Sequence, residues 1–411
     1  MGSEQKEPGS GNSANLCRPQ FTVYSFLITA HCPLSNAHRA LPTAHRLMHI
    51  LVVKLGSIGD IVHTLPAVAA MRKALPQSKI SWVVERRAAE ILRDNPIIDR
   101  LIEVDTKALR RGLVSGETLR APRQQLRQLR ASAFDLALDF QGLLKSASIA
   151  RLSGARRIFG FSRESLREPA SRFLLTQSIP ISKNSHVIQK NITLASGALG
   201  ISISENPDDF EFPIATHSTH EAEAVKAAAG NEYALLNPGG GWPTKLWSAE
   251  RFGRLADELW THYGLHSLIT HGPGEANLAE TVLQASRSGK ARAVNVSLKG
   301  FYELAKRAQV YIGGDTGPTH LAIAAGAPIV GLFGPTEWWR NGSLRPADIC
   351  VERVDIDCRT DCHRRACSKW ICMDIEVERV FQAVGERIAA KMPRALSQLD
   401  RQGGRQRLGI L

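Results

Sequence analysis

The stretch that decides the fold is Met48-His49-Ile50-Leu51-Val52-Val53-Lys54-Leu55-Gly56-Ser57-Ile58-Gly59-Asp60. Its first half is a continuous β-branched and aliphatic run, the kind a parallel sheet buries on both faces. Two glycines then turn the chain. A helix is predicted over 66–75, with Pro66 in the first turn, where its missing N–H costs nothing. Strand, turn and helix recur downstream: strands are expected at 80–84, 101–104 and 136–139, and helices at 88–93 and after Gln141-Gly142-Leu143. Such alternation predicts an open, doubly wound parallel sheet.

A second series follows a polar stretch around 202–209. A strand at 233–236 runs into Asn237-Pro238-Gly239-Gly240-Gly241. Helices at 249–263, 276–285, 301–308 and 316–325 alternate with strands at 267–270, 310–312 and 329–333. The chain therefore reads as two Rossmann-like halves. Ligands of such sheets bind beyond the carboxyl ends of the strands, so the glycine-rich loops of both halves are candidate walls of one cleft. The expected divisions are an N-terminal extension over 1–47, domains over 48–212 and 213–380, and a C-terminal helix with a basic tail over 381–411. Residues 1–47 have no sustained period and read as poorly ordered, and Met48, abutting the first strand, is a candidate biological start.

With 411 residues, 43% apolar and 22% charged, the chain suits two packed cores. The one marked apolar run near the start, 21–30, is half of the roughly 20 residues a spanning helix needs, and no basic patch precedes it as in a secretory signal. A cytoplasmic protein is expected. Seven cysteines, five of them in the last 62 residues, argue against a disulfide framework. Cys358, Cys362, Cys367 and Cys372 lack paired Cys-x-x-Cys knuckles, so that segment reads as a cysteine-rich loop near the cleft rather than a zinc site. The formal charge of +13 divides as +2 over 1–47, +12 over 48–204 and −1 over 205–411. One half is built to meet something anionic. No stripe of aromatics interleaves the basic residues, which disfavours nucleic acid.

Three loops carry candidate chemistry. Gly56-Ser57-Ile58-Gly59-Asp60 lacks the Gly-x-Gly-x-x-Gly spacing of a dinucleotide site. Its Asp60 is instead either a general base at the cleft or a turn aspartate. In Asp315-Thr316-Gly317-Pro318-Thr319-His320, free amides at a helix start suit a diphosphate, Gly317 lets it approach, and His320 lies one turn in. In Gly239-Gly240-Gly241-Trp242-Pro243-Thr244-Lys245-Leu246-Trp247, Lys245 offers a positive charge to a leaving diphosphate. Glu275, in His271-Gly272-Pro273-Gly274-Glu275, is placed to accept hydrogen bonds from a sugar.

Taken in order, Lys54-Leu55-Gly56-Ser57-Ile58-Gly59-Asp60, Asp139-Phe140-Gln141-Gly142-Leu143-Leu144-Lys145-Ser146, Arg167-Glu168-Pro169, the Pro-Gly-Gly-Gly-x-x-x-Lys-x-Trp loop, Asp-Thr-Gly-x-x-His and Phe333-Gly334-Pro335-Thr336 resemble glycosyltransferase family 9 over about 48–380. The resemblance implies a GT-B fold. It further implies inverting transfer of L-glycero-D-manno-heptose from ADP-heptose to the Kdo region of lipid A, in lipopolysaccharide inner-core biosynthesis, with no cofactor or required metal. By the same resemblance Asp60 is the base and Lys245 stabilises the leaving ADP. Gly240, Gly241, Glu275, Val296, Asp315, Thr316, Gly317 and His320 complete the donor site, and Lys54, Lys145 and Arg167 fall at acceptor-binding positions. The basic half would then face Kdo carboxylates, lipid A phosphates and the anionic inner face of the inner membrane. Transfer of heptose onto heptose, or of another sugar, and a lipid- or nucleic-acid-binding protein without turnover, are the alternatives.

Overall fold

The structure, a computed structural model, describes residues 47–106, 127, 129–217, 219–230, 232–358 and 362–390. Expectations placed on 1–46 and 391–411 lie outside them.

Each half builds the same sheet. The first contains β1 (His49–Val53), β2 (Lys79–Glu85), β3 (Arg100–Val104), β4 (Leu136–Asp139), β5 (Arg157–Phe161) and β6 (Gln177–Ile179), all parallel, in the order β3-β2-β1-β4-β5-β6. The second contains β7 (Tyr233–Asn237), β8 (His266–Thr270), β9 (Ala291–Val294), β10 (Val310–Gly314), β11 (Ile329–Phe333) and β12 (Ile349–Glu352), also parallel, in the order β12-β11-β10-β7-β8-β9. In each sheet the strand order reverses between the first and fourth strands, and a crevice opens at that switch point. Register decides which loops meet there. Val53 pairs with Asp139, so Lys54 and Phe140 leave the first sheet together. Gly313 pairs with Asn237, so the loop beginning at Pro238 and the one beginning at Asp315 leave the second nearly side by side.

The cores match the reading of the strands: Ile50, Leu51, Val52 and Val53 are fully buried, as are Ala234, Leu235 and Leu236. Some elements differ. The helix expected over 88–93 is a 3-10 segment, Arg86–Leu92. Strands β5, β6, β9 and β12, and helices Val187–Leu199 and His220–Ala229, were not legible. β6 and β9 are short and only partly buried, so neither shows an apolar run long enough to stand out. The last helix, Val377–Ala389, begins before the expected boundary at 381, and Val377, Val380 and Val384 seat it in the second core.

The two halves touch through a pair of short helices at the crevice. Ile58–Val62, after β1, packs on Gly317–Ala324, after β10. A Cβ at Gly317 would lie 3.0 Å from the Ile58 Cβ, and one at Gly59 would overlap the His320 ring. Gly317 therefore has a packing reason to be glycine, beside the approach to a phosphate expected of it. Among the described residues no helix is long and apolar enough to cross a membrane.

Candidate active site

The front wall starts where β1 ends. Lys54 is 3% exposed, and its ammonium donates to Phe140 O at 2.8 Å and stands 3.7 Å from Asp60 Oδ1. The Gln141 side-chain oxygen accepts from Leu55 N at 3.0 Å and Gly56 N at 3.3 Å, tying down the loop. Gln141 is itself placed by Asp139, a fully buried carboxylate that accepts from Gln141 N, Gly142 N and Ser146 Oγ. Burial raises the Asp139 pKa to about 6 against the pull of those hydrogen bonds.

Asp60 is in the first turn of Ile58–Val62, and its Oδ2 accepts from Ser57 N at 2.9 Å and Ser57 Oγ at 3.3 Å. It thus performs the turn role and still lines the cleft. Burial pushes its carboxyl up, but the Lys54 ammonium, the Ser57 amide and Arg167 pull harder, and it lies below the ordinary carboxylate range. It is ionised at neutral pH. Burial dominates for Lys54 and lowers its pKa, although Asp60 and Asp139 oppose this.

The rear wall is organised by Asp315, just past β10. One carboxylate oxygen receives the Lys245 ammonium at 2.6 Å, and the other receives His320 Nε2 at 3.1 Å and Asn341 Nδ2 at 2.7 Å. Burial would raise its pKa, yet His320 and Lys245 hold it well below the usual range. Three protein donors thus fix Asp315, which aims Lys245 and still lines the cavity. Thr316 precedes Gly317–Ala324 without capping it by its side chain, so the first amides keep no side-chain partner. Behind Lys245 runs the cysteine-rich segment: Thr244 Oγ1 donates to Arg364 O at 2.7 Å, and Trp370 Nε1 to Thr244 O at 3.1 Å. Its cysteines are free, and among the described residues no three His, Cys, Asp or Glu side chains gather as a metal site.

Glu275 accepts from Gly240 N at 3.0 Å and Gly272 N at 2.8 Å, linking the two glycine loops. With Gly240, Val296, Phe301 and Gly317 it lines a cavity of about 490 Å³. A second cavity, of about 550 Å³, is lined by Asp60 and Arg167 from the front half and by Lys245, Asp315 and His320 from the rear. Ser57, Gly241, Thr316 and Gly317 belong to both, so the two are continuous around the uncapped helix start. Lys145 is turned elsewhere, donating to Glu85 Oε1 and Thr106 Oγ1 at 2.9 Å each.

Sequence reasoning missed several residues here. Asn341, which completes the Asp315 set, follows an unremarkable Trp-Trp-Arg run. His63 and His186 join His320 in a buried cluster, with ring centroids 4.3 Å (His63–His320) and 5.9 Å (His63–His186) apart. No spacing rule links residues so far apart in the chain.

Twin sheets of one strand order, with a carboxylate and an ammonium facing one cavity from opposite halves, define a two-lobed GT-B glycosyltransferase. The sequence profile of glycosyltransferase family 9 (heptosyltransferase) matches residues 123–370, and the chain belongs to that family. It is 29% identical over 323 residues to lipopolysaccharide heptosyltransferase 1 of Pseudomonas aeruginosa, covering 78% of this chain and 88% of that one. Identity to lipopolysaccharide heptosyltransferase 1 of Escherichia coli K12 is 28% over 297 residues, 71% and 89% of the two chains. Among solved structures, E. coli heptosyltransferase WaaC with ADP-2-deoxy-2-fluoro heptose superposes with a TM-score of 0.62 at 25% identity, covering 74% of this chain and 93% of that one. A family 9 glycosyltransferase from Veillonella parvula has the same fold, with a TM-score of 0.72 at 23% identity over 84% of this chain and 98% of that one.

Proposed function

We propose that this enzyme transfers heptose from ADP-heptose, with inversion, to a Kdo sugar of lipid A. The observation that carries the reading is the shared cavity: Asp60 on one wall, Lys245 and the start of Gly317–Ala324 on the other. The similarity to heptosyltransferase 1 proteins supports the choice of sugar and acceptor.

The nucleoside lies in the cavity of Glu275 and Val296, and the diphosphate lies on the amides of Thr316 and Gly317 beside Lys245. The sugar then enters the larger cavity, anomeric carbon toward Asp60. An acceptor hydroxyl attacks that carbon opposite the diphosphate, the new C–O bond forms as the bond to the phosphate oxygen breaks, and ADP departs with the bonding electrons. Asp60 takes the hydroxyl proton. Lys245 and the helix-start amides stabilise the negative charge growing on the leaving group. Lys54, buried behind Asp60, holds it ionised and aimed, a positioning role in place of the acceptor contact the sequence suggested. Arg167, in the same cavity, meets the acceptor, and the basic front half faces the anionic membrane surface where such an acceptor is embedded.

Incubation with ADP-heptose and Kdo-lipid A, followed by mass detection of a product heavier by one heptose, tests this. Transfer only to an acceptor already carrying heptose would replace the acceptor assignment. Absence of acceptor-dependent ADP release would leave a binding protein on a transferase scaffold.

A further inference from the structure

We propose that Arg340 and Arg365, both from the rear half, form with Arg167 an anion subsite that grips a carboxylate of the acceptor close to the reacting hydroxyl. The inference rests on the function proposed above and extends it to residues of the half otherwise devoted to the donor.

All three arginines line the 550 Å³ cavity that holds Asp60 and Lys245. They arrive from three separate places. Arg167 follows β5 in the front half, Arg340 lies in the short helix Trp338–Asn341 after β11, and Arg365 is in the cysteine-rich segment. Among the described residues no carboxylate pairs with any of them, whereas Lys245 in the same cavity is neutralised by Asp315. Their nearest partners do not cancel charge. Arg340 Nη1 is 3.3 Å from His363 Nε2. Arg365 stands 4.9 Å over the Trp242 ring, whose centroid is also 4.4 Å from the Lys245 ammonium.

Like charges gathered in a concave site raise the local concentration of anions, and the one carboxylate that feels Arg167 here, Asp60, leaves Arg340 and Arg365 uncompensated. The donor's diphosphate is already provided for by Lys245 and the helix start, so the three arginines are surplus to it. Arginine, with its planar fork of donors, suits bidentate carboxylate or phosphate more than a sugar hydroxyl. The acceptor offers both anions. Because Asp60 shares the cavity, the group gripped has to lie within about a sugar's width of the attacked hydroxyl, which points to a Kdo carboxylate rather than a lipid A phosphate.

The test is steady-state kinetics of Arg340→Ala, Arg365→Ala and the double variant with ADP-heptose, using Kdo-lipid A, its carboxyl-reduced form and its dephosphorylated form. Calorimetric binding of free Kdo to the ADP-loaded protein is measured in parallel. Both side chains are exposed, so folding is expected to be retained. Each single substitution should raise the acceptor KM about tenfold, the loss of one charged contact of about 1.4 kcal/mol, with donor KM changed less than twofold. Reducing the carboxyl should weaken the wild type at least as much, and the double variant, which keeps only Arg167, clearly less, as for groups that contact each other. Removing the phosphates should leave the effect of the substitutions intact. Unchanged acceptor KM and Kdo binding in an active double variant overturns the subsite and keeps the function. An effect that vanishes with the dephosphorylated acceptor overturns the carboxylate assignment. An inactive wild type that still binds Kdo through these arginines overturns the function and keeps the subsite.

Discussion

Gly59 and His320 occupy one another's space across the junction of the two halves: a Cβ on Gly59 would overlap the imidazole of His320. That imidazole is buried and held by Asp315, so it has little room to retreat. Gly59→Ala should therefore push Ile58–Val62, and Asp60 with it, away from the rear wall. Misplacement of a reacting group by an ångström costs on the order of 100-fold in rate. The expected outcome is kcat reduced at least tenfold, with a melting temperature lowered by a few degrees; normal kcat would mean that the halves adjust freely here.

Asp60→Asn should abolish turnover while ADP affinity stays near that of the wild type, since every residue assigned to the diphosphate belongs to the rear half. A positioned base contributes about 10²- to 10⁴-fold. The carboxylate works deprotonated, and Lys54 helps hold its pKa below the ordinary range. Activity should thus persist as pH falls to about 5 and decline only below the usual carboxylate pKa of about 3.9. In Lys54→Met the carboxyl loses its nearest cation and keeps its burial, so the acid limb of kcat/KM should move to higher pH. A pH profile unmoved by that substitution would show that Lys54 does not govern Asp60.

Much of this arrangement was legible because it rests on local rules. The apolar run before Lys54 and the glycines after it placed β1 and its turn, and Pro-Gly-Gly-Gly and Asp-Thr-Gly marked the loops of the second sheet. What the sequence withheld is what packing decides. Lys54 reads as an available cation and is buried against Phe140 O and Asp60. Asp315 reads as a ligand for the donor, and it is also the anchor for Lys245, His320 and Asn341. Gly317 reads as clearance for a phosphate, yet Ile58 from the other half also requires it. Each of these depends on a partner distant in the chain, and no period or spacing encodes that.

Lys245→Ala and Asp315→Asn should fail differently. Removing the lysine leaves Asp315 bonded to His320 and Asn341, so the fold should survive while ADP affinity and kcat both drop. Removing the carboxylate leaves a mostly buried ammonium unpaired, a loss of about 3–5 kcal/mol in comparable buried pairs. Because the Asp315 pKa is depressed in the fold, its contribution is present above the unfolded value and is lost as pH falls through the folded one. The deficit of Asp315→Asn in chemical denaturation should therefore be full at pH 7 and shrink only in strong acid. An equal deficit for Lys245→Ala would contradict the distinction.

The histidine cluster supplies a second pH dependence, at milder acidity. His63 and His186 are buried, and burial, assisted by neighbouring histidines, lowers both pKa values, that of His186 to about 4. His186 also reaches across to Gly342 O through Nε2 at 3.1 Å, so the cluster sits in the junction itself. The unfolded chain binds a proton on each ring near pH 6.5, whereas the folded chain does not until well below that. The unfolded state therefore gains protons first, and stability should fall as pH drops from about 6.5 towards 4. For His186 alone the shift corresponds to about 3 kcal/mol at the acid end of that window. His186→Gln, which keeps a donor for Gly342 O and cannot titrate, should flatten the pH dependence of the denaturation midpoint between pH 6.5 and 4 while leaving the midpoint at pH 8 little changed. A slope identical to that of the wild type would assign the acid sensitivity to other groups.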